Sequence, residues 1–178
     1  EGAAFNFPSE LYHNEKNGKF KDITQASGLN INAFIKGSTG GDINNDGLID
    51  LYVSALQGDN QLFLNTSDAS GIHFKNVTAT AGIKEPFVSF PTWMFDYNND
   101  GWLDIFVSAY SDGSEDLPGK ILRAYGKSND PFRPRIYRNN HNSTFTDMSA
   151  SLGVVEPAFT MGCNYGDLDN DGYPDFYL

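Results

Sequence analysis

Three copies of one acidic nine-residue pattern constrain this chain more than any other feature: Asp42-Ile-Asn-Asn-Asp-Gly-Leu-Ile-Asp50, Asp96-Tyr-Asn-Asn-Asp-Gly-Trp-Leu-Asp104 and Asp167-Leu-Asp-Asn-Asp-Gly-Tyr-Pro-Asp175. Each places oxygen-bearing side chains at positions 1, 3, 5 and 9 and Gly at position 6. A hard cation such as calcium takes about six to eight oxygen ligands, preferring carboxylates, amide oxygens and backbone carbonyls. Alternate residues of a tight loop point at one centre. The expected ligands are therefore Asp42, Asn44 and Asp46, then Asp96, Asn98 and Asp100, then Asp167, Asp169 and Asp171. Gly47, Gly101 and Gly172 permit the sharp turn. The carbonyls of Leu48, Trp102 and Tyr173 add a backbone ligand, and Asp50, Asp104 and Asp175 close the sites. A metal-free Asx turn is the simpler alternative for one copy, since Asp, Asn and Gly are ordinary turn residues. Three copies at one spacing, each crowding carboxylates that repel one another, favour about three calcium sites.

The residues around the loops decide what kind of loop this is. An EF-hand needs a bidentate Glu at position 12, where this chain has Val53, Val107 and Leu178. After position 9 come Leu51-Tyr-Val-Ser-Ala55, Ile105-Phe-Val-Ser-Ala109 and Phe176-Tyr-Leu178. These apolar, β-branched and aromatic runs predict buried strands. The loop is then a strand-to-strand connection.

The similarity extends beyond the loop. Leu11-Tyr-His-Asn14, Leu62-Phe-Leu-Asn65 and Ile136-Tyr-Arg-Asn139 match one another. So do Phe20-Lys-Asp-Ile-Thr-Gln-Ala-Ser-Gly-Leu29, Phe74-Lys-Asn-Val-Thr-Ala-Thr-Ala-Gly-Ile83 and Phe145-Thr-Asp-Met-Ser-Ala-Ser-Leu-Gly-Val154. Each unit supplies four strands, in the first full unit at about 34–41, 49–55, 60–65 and 73–78. A unit of roughly 50 residues with four strands is the size of a β-propeller blade. The expected fold is all-β: one propeller segment over 1–178, with a partial blade at about 10–30, blades at about 34–78 and 88–149, and a partial blade at about 158–178. Because the chain starts and stops out of phase with the blades, we expect it to be part of a longer polypeptide. Further blades of that polypeptide, or a protein partner, would cover the open sheet edges.

The repeat is interrupted once. Asn14 and Asn65 are 51 residues apart, whereas Asn65 and Asn139 are 74 apart. The extra residues form an insertion at 110–134, which carries Lys120, Arg123, Lys127 and Arg133 on an acidic protein. Long loops in compact folds are usually functional or disordered, so this one is either a partner contact or a bland insertion.

Net charge is −11, and ten of the 23 acidic residues are the loop aspartates. Three calcium ions would bring the charge to about −5. With no basic face, nucleic acid is not an expected partner. Cys163 is the sole cysteine, so no internal disulfide forms, and it is expected to be a small buried residue. His13, His73 and His141 suggest no site. No apolar run approaches the roughly 20 residues of a membrane span.

The pattern D-x-[DN]-N-D-G-x-x-D followed by an apolar strand resembles the FG-GAP/VCBS repeats, which form the seven-bladed propeller of integrin α-subunits and of many secreted proteins. The flanking segments are most similar to the branch containing cartilage acidic protein and its bacterial relatives. The resemblance covers nearly the whole chain from about Leu11. It implies a larger, seven-bladed propeller, with calcium held by the side chains at positions 1, 3, 5 and 9 and the carbonyl at position 7 of all three loops. The Phe-Gly and Gly-Ala-Pro words of integrins are absent; Gly40-Gly41, Met94-Phe95 and Tyr165-Gly166 stand before the loops.

The expected function is that of a calcium-stabilised, extracytoplasmic structural, adhesion or protein-interaction module without catalysis. Two alternatives remain. One is a carbohydrate-active lyase or hydrolase on the same scaffold, for which the spare carboxylates are Glu10, Glu15, Glu85, Glu115 and Asp116. The other is a lectin-like module with a glycan partner, stacking sugars on Trp93 or Tyr125.

Overall fold

The computed structural model of the chain describes residues 8–56, 58–110, 133–156 and 160–178. Among these described residues, twelve strands and two single-turn helices follow one another in repeating order. A short hairpin opens the chain, β1 (Tyr12–Asn14) with β2 (Phe20–Asp22), followed by helix α1 (Thr24–Ser27). Then come β3 (Ile35–Gly41), β4 (Asp50–Ala55), β5 (Gln61–Asn65) and β6 (Phe74–Asn76), which form one four-stranded antiparallel meander in chain order. Helix α2 (Thr78–Ala81) leads to a second meander of β7 (Ser89–Phe95), β8 (Asp104–Ala109), β9 (Arg135–Asn139) and β10 (Phe145–Asp147). The last hairpin pairs β11 (Asn164–Gly166) with β12 (Asp175–Tyr177). The fold is thus all-β, a propeller segment of two whole blades and two partial ones. No helix among the described residues is long and apolar enough to cross a membrane.

The blades are held by what lies between them. Side chains alternate across a strand, and here both faces of the second strand of each full sheet, β4 and β8, are buried. Leu51 and Val53 of β4 face a cluster with Leu29, Ile31 and Phe63, toward the first hairpin. Tyr52, between them, faces the opposite cluster with Leu62, Ile83, Met94, Ile105 and Val107, shared with the second sheet. Phe106 of β8 turns to a third cluster with Trp93, Phe95 and Ile136, against which Cys163 and Phe176 of the last partial blade pack. This explains the unbroken apolar runs after the first two loops: both neighbours of a blade need an apolar face.

The first strands of the two full blades, β3 and β7, run close together, and glycine makes room. A Cβ on Gly37 would lie 2.9 Å from the carbonyl oxygen of Phe90 in β7, and one on Gly41 2.7 Å from the Met94 sulfur. Both strands carry a register shift near their start, between Ile35 and Gly37 and between Ser89 and Thr92.

The repeated Phe-x-[Asp/Asn]-x-[Thr/Ser] segment is a lock between the last two strands of a blade. In each copy the Asx oxygen accepts the N–H of the residue two places on: Asp22 from Thr24, Asn76 from Thr78, and Asp147 from Ser149. The hydroxyl of that residue then accepts the N–H that opens the neighbouring strand. The three bonds are Leu11 to Thr24 at 2.8 Å, Leu62 to Thr78 at 2.9 Å and Ile136 to Ser149 at 2.9 Å. This Asx turn is why the chain leaves the strand by Val77 and starts α2 at Thr78.

Candidate metal centre

Each acidic loop closes the hairpin between the first and second strands of a blade, in one register. Gly41 pairs with Asp50, Phe95 with Asp104 and Gly166 with Asp175. Position 1 folds the loop. Asp42 accepts the N–H groups of Asp46 and Gly47, at 3.1 and 2.8 Å. Asp96 accepts those of Asp100 and Gly101 at 3.0 and 2.7 Å, and Asp167 those of Asp171 and Gly172 at 3.1 and 3.0 Å. Position 5 accepts the N–H of position 7: Asp46 from Leu48, Asp100 from Trp102, Asp171 from Tyr173. The glycines at position 6 have φ of +87°, +85° and +89°, which the turn requires.

The closing aspartates are strand residues. Asp50 and Asp104 are fully buried. Each accepts the N–H of position 2 in its own loop, Ile43 at 3.0 Å and Tyr97 at 3.2 Å. Leu168 makes the same bond to Asp175 at 2.9 Å. Their second oxygens accept the N–H of Asn65 and Asn139, at 2.7 and 2.8 Å. Burial pushes both carboxyls up, Asp104 to about 6, against these N–H donors. Asp100 differs. Desolvation raises it, but bonds from Asn98, Trp102 and His141 outweigh that and hold it below its ordinary range.

Two features suit the donor set to a hard cation. In the third loop Asp167, Asp169 and Asp175 each bring a carboxylate oxygen within 4.8 Å of the others. In the second loop Asn98 Oδ1 is buried and, among the described residues, has no hydrogen-bond donor, although its amide nitrogen donates to Asp100. A buried acceptor left unmade is costly, and a cation at the loop centre would satisfy it. The residues at positions 1, 3, 5 and 9 and the carbonyls of Leu48, Trp102 and Tyr173 would hold such an ion. It would supply positive charge to carboxylates that otherwise repel.

Some residues that hold the loops carry no metal-ligand signature. Asn65 and Asn139, at the end of the repeated Leu-Tyr-x-Asn words, dock their loops from the third strand. Asn65 Nδ2 donates to the Ile49 carbonyl at 2.9 Å; Asn139 Nδ2 donates to Leu103 at 3.0 Å and to Ile43, in the preceding loop, at 2.7 Å. Their fixed place in the repeat was the signal. His141, to which the sequence assigned no site, stacks on Trp102 with centroids 4.6 Å apart and sits 3.3 Å from Asp100.

The remaining candidates disperse. Trp93 is buried between blades and stacks on Phe106 at 4.0 Å, so it offers no open ring face to a sugar. Glu85 pairs with the buried Arg135 at 2.7 Å, and Glu10 accepts the Tyr12 hydroxyl. Cys163 is half-buried rather than fully buried, and burial pushes its thiol up to about 12. Tyr125, Glu115, Asp116 and most of the 110–134 insertion lie outside the described residues.

The chain matches the model of the FG-GAP-like repeat three times, over residues 8–53, 42–107 and 96–178. It is 26% identical over 176 residues to cartilage acidic protein 1 of Mus musculus, covering 97% of this chain and 25% of that protein. Against cartilage acidic protein 1 of Homo sapiens it is also 26% identical over 176 residues, 97% of this chain and 24% of the relative. The chain thus spans about a quarter of the length of these curated relatives.

Proposed function

Because the chain belongs to the FG-GAP-like repeat family, we propose that it is a calcium-pinned propeller segment working outside the cytoplasm, as a structural, adhesion or protein-interaction module without catalysis. The observation that carries the calcium reading is the convergence of Asp167, Asp169 and Asp175 oxygens within 4.8 Å, in a loop whose hydrogen-bond scheme recurs in the other two. Carboxylates so placed repel unless a cation lies among them. Calcium is assigned a structural role: it fixes the hairpin that begins each blade. Extracellular calcium modules bind at about 10⁻⁴ to 10⁻³ M. Such sites fill at millimolar calcium and stand empty at cytosolic levels, which favours an extracytoplasmic location. Further blades of the same polypeptide, or a protein partner, are the proposed cover for β1 and β12, where Tyr12 and Tyr177 are exposed.

Calorimetric titration of the chain with calcium tests this reading. The expected result is three ions per chain, falling to two in Asp167→Ala. A titration without heat, or a stoichiometry unchanged by that substitution, would overturn it.

A further inference from the structure

We propose that the position-4 asparagines of the first two acidic loops, Asn45 and Asn99, couple the cation sites of successive blades, so that the loops fill cooperatively. This rests on the calcium reading above and concerns how those same sites are regulated. Position 4 is not a ligand position. Yet Asn45, Asn99 and Asn170 all hold left-handed backbone, with φ of 57°, 58° and 62°. From this turn the side chains of Asn45 and Asn99 reach the next loop. Asn45 Nδ2 donates to the Gly101 carbonyl at 3.3 Å, and Asn99 Nδ2 to the Gly172 carbonyl at 2.8 Å. The two acceptors are the same residue of the pattern, the position-6 glycine, one blade further on.

The bridge reaches the ligands through one peptide group. The carbonyl of Gly101 shares its peptide with the N–H of Trp102, which donates to Asp100 Oδ1 at 2.9 Å. The carbonyl of Gly172 shares its peptide with the N–H of Tyr173, which donates to Asp171 Oδ1 at 2.8 Å. Hydrogen bonds chained through a peptide polarise one another. The bridge therefore orients the position-5 carboxylate of the following site. Bridge and site geometry form only when both loops are folded. A cation that orders one loop thereby favours the other, and the coupling is reciprocal.

The two junctions differ in how many bridges they have. Between loops one and two, Asn139 adds a second link, to the Ile43 carbonyl at 2.7 Å. Between loops two and three, Asn99 supplies the loop-to-loop bond found among the described residues. Asn170 reaches no such carbonyl among them, yet keeps the same φ. The left-handed turn thus belongs to the loop itself, and the bridge is a separate use of the side chain.

That difference provides the control. Glycine keeps the positive φ and removes only the donor. Calcium titration of the chain is expected to give a curve steeper than independent sites allow. In Asn99→Gly the stoichiometry stays at three, the curve loses steepness, and one site weakens about fivefold, the worth of one modest hydrogen bond. Asn170→Gly, the same change where the described residues show no bridge, leaves the wild-type curve. An Asn99→Gly curve equal to wild type, or equal losses in both variants, would overturn the coupling while leaving calcium binding intact. A chain that takes up no calcium overturns both proposals together.

Discussion

Asn139 joins two loops and a strand with one side chain. Its amide donates to carbonyls of Ile43 and Leu103, its oxygen accepts the N–H of His141, and its own N–H caps the buried Asp104. Removing the amide strands one buried and one part-buried acceptor. Asn139→Ala is expected to cost about 2–3 kcal/mol, read as a lower urea midpoint, since each orphaned buried group costs roughly 1–3 kcal/mol. Thr78→Ala removes only the acceptor for Leu62 N–H, and a loss of about 1–2 kcal/mol is expected by the same measurement. The acidic loops were legible in the sequence because their turn residues recur at one spacing. The docking asparagines were visible only as repeated letters, because their partners lie 16 to 96 residues away and no local pattern encodes such a bond.

At the scale of the elements, the strands were the most legible part. Apolar runs such as Ile105 to Ala109 leave no other reading, since both faces of β8 are buried. Helix α2 was missed, and its first residue, Thr78, was expected in a strand. Four residues carry no helical period, and an Asx side chain rather than hydrophobicity ends the strand. The glycines of β3 were equally silent, because their role is defined by another blade. Gly37 has a Phe90 carbonyl and the Ser54 hydroxyl where a Cβ would go. Gly37→Ala must push β3 and β7 apart, at an expected cost of about 1–3 kcal/mol. Thermal unfolding followed by circular dichroism measures it; a variant as stable as wild type would show that β3 and β7 pack with slack.

For the molecule as a whole, the hydrophobic clusters lie between blades and the acidic loops lie at one end of each first hairpin. Burial therefore holds neighbouring sheets face to face, while each loop gathers three or four aspartates, three of which in the third loop converge within 4.8 Å. We propose that calcium balances this charge. At millimolar calcium, a site with a dissociation constant of about 10⁻⁴ M adds roughly 1.4 kcal/mol. Three such sites add about 4 kcal/mol, or on the order of 10 °C in melting temperature for a chain of this length. Thermal unfolding of the chain in millimolar calcium and again in excess chelator tests this most directly. A rise of that order with calcium, largely lost in Asp42→Ala/Asp96→Ala/Asp167→Ala, is the predicted result. A melting temperature that does not move between the two conditions would contradict the claim that calcium pins these blades.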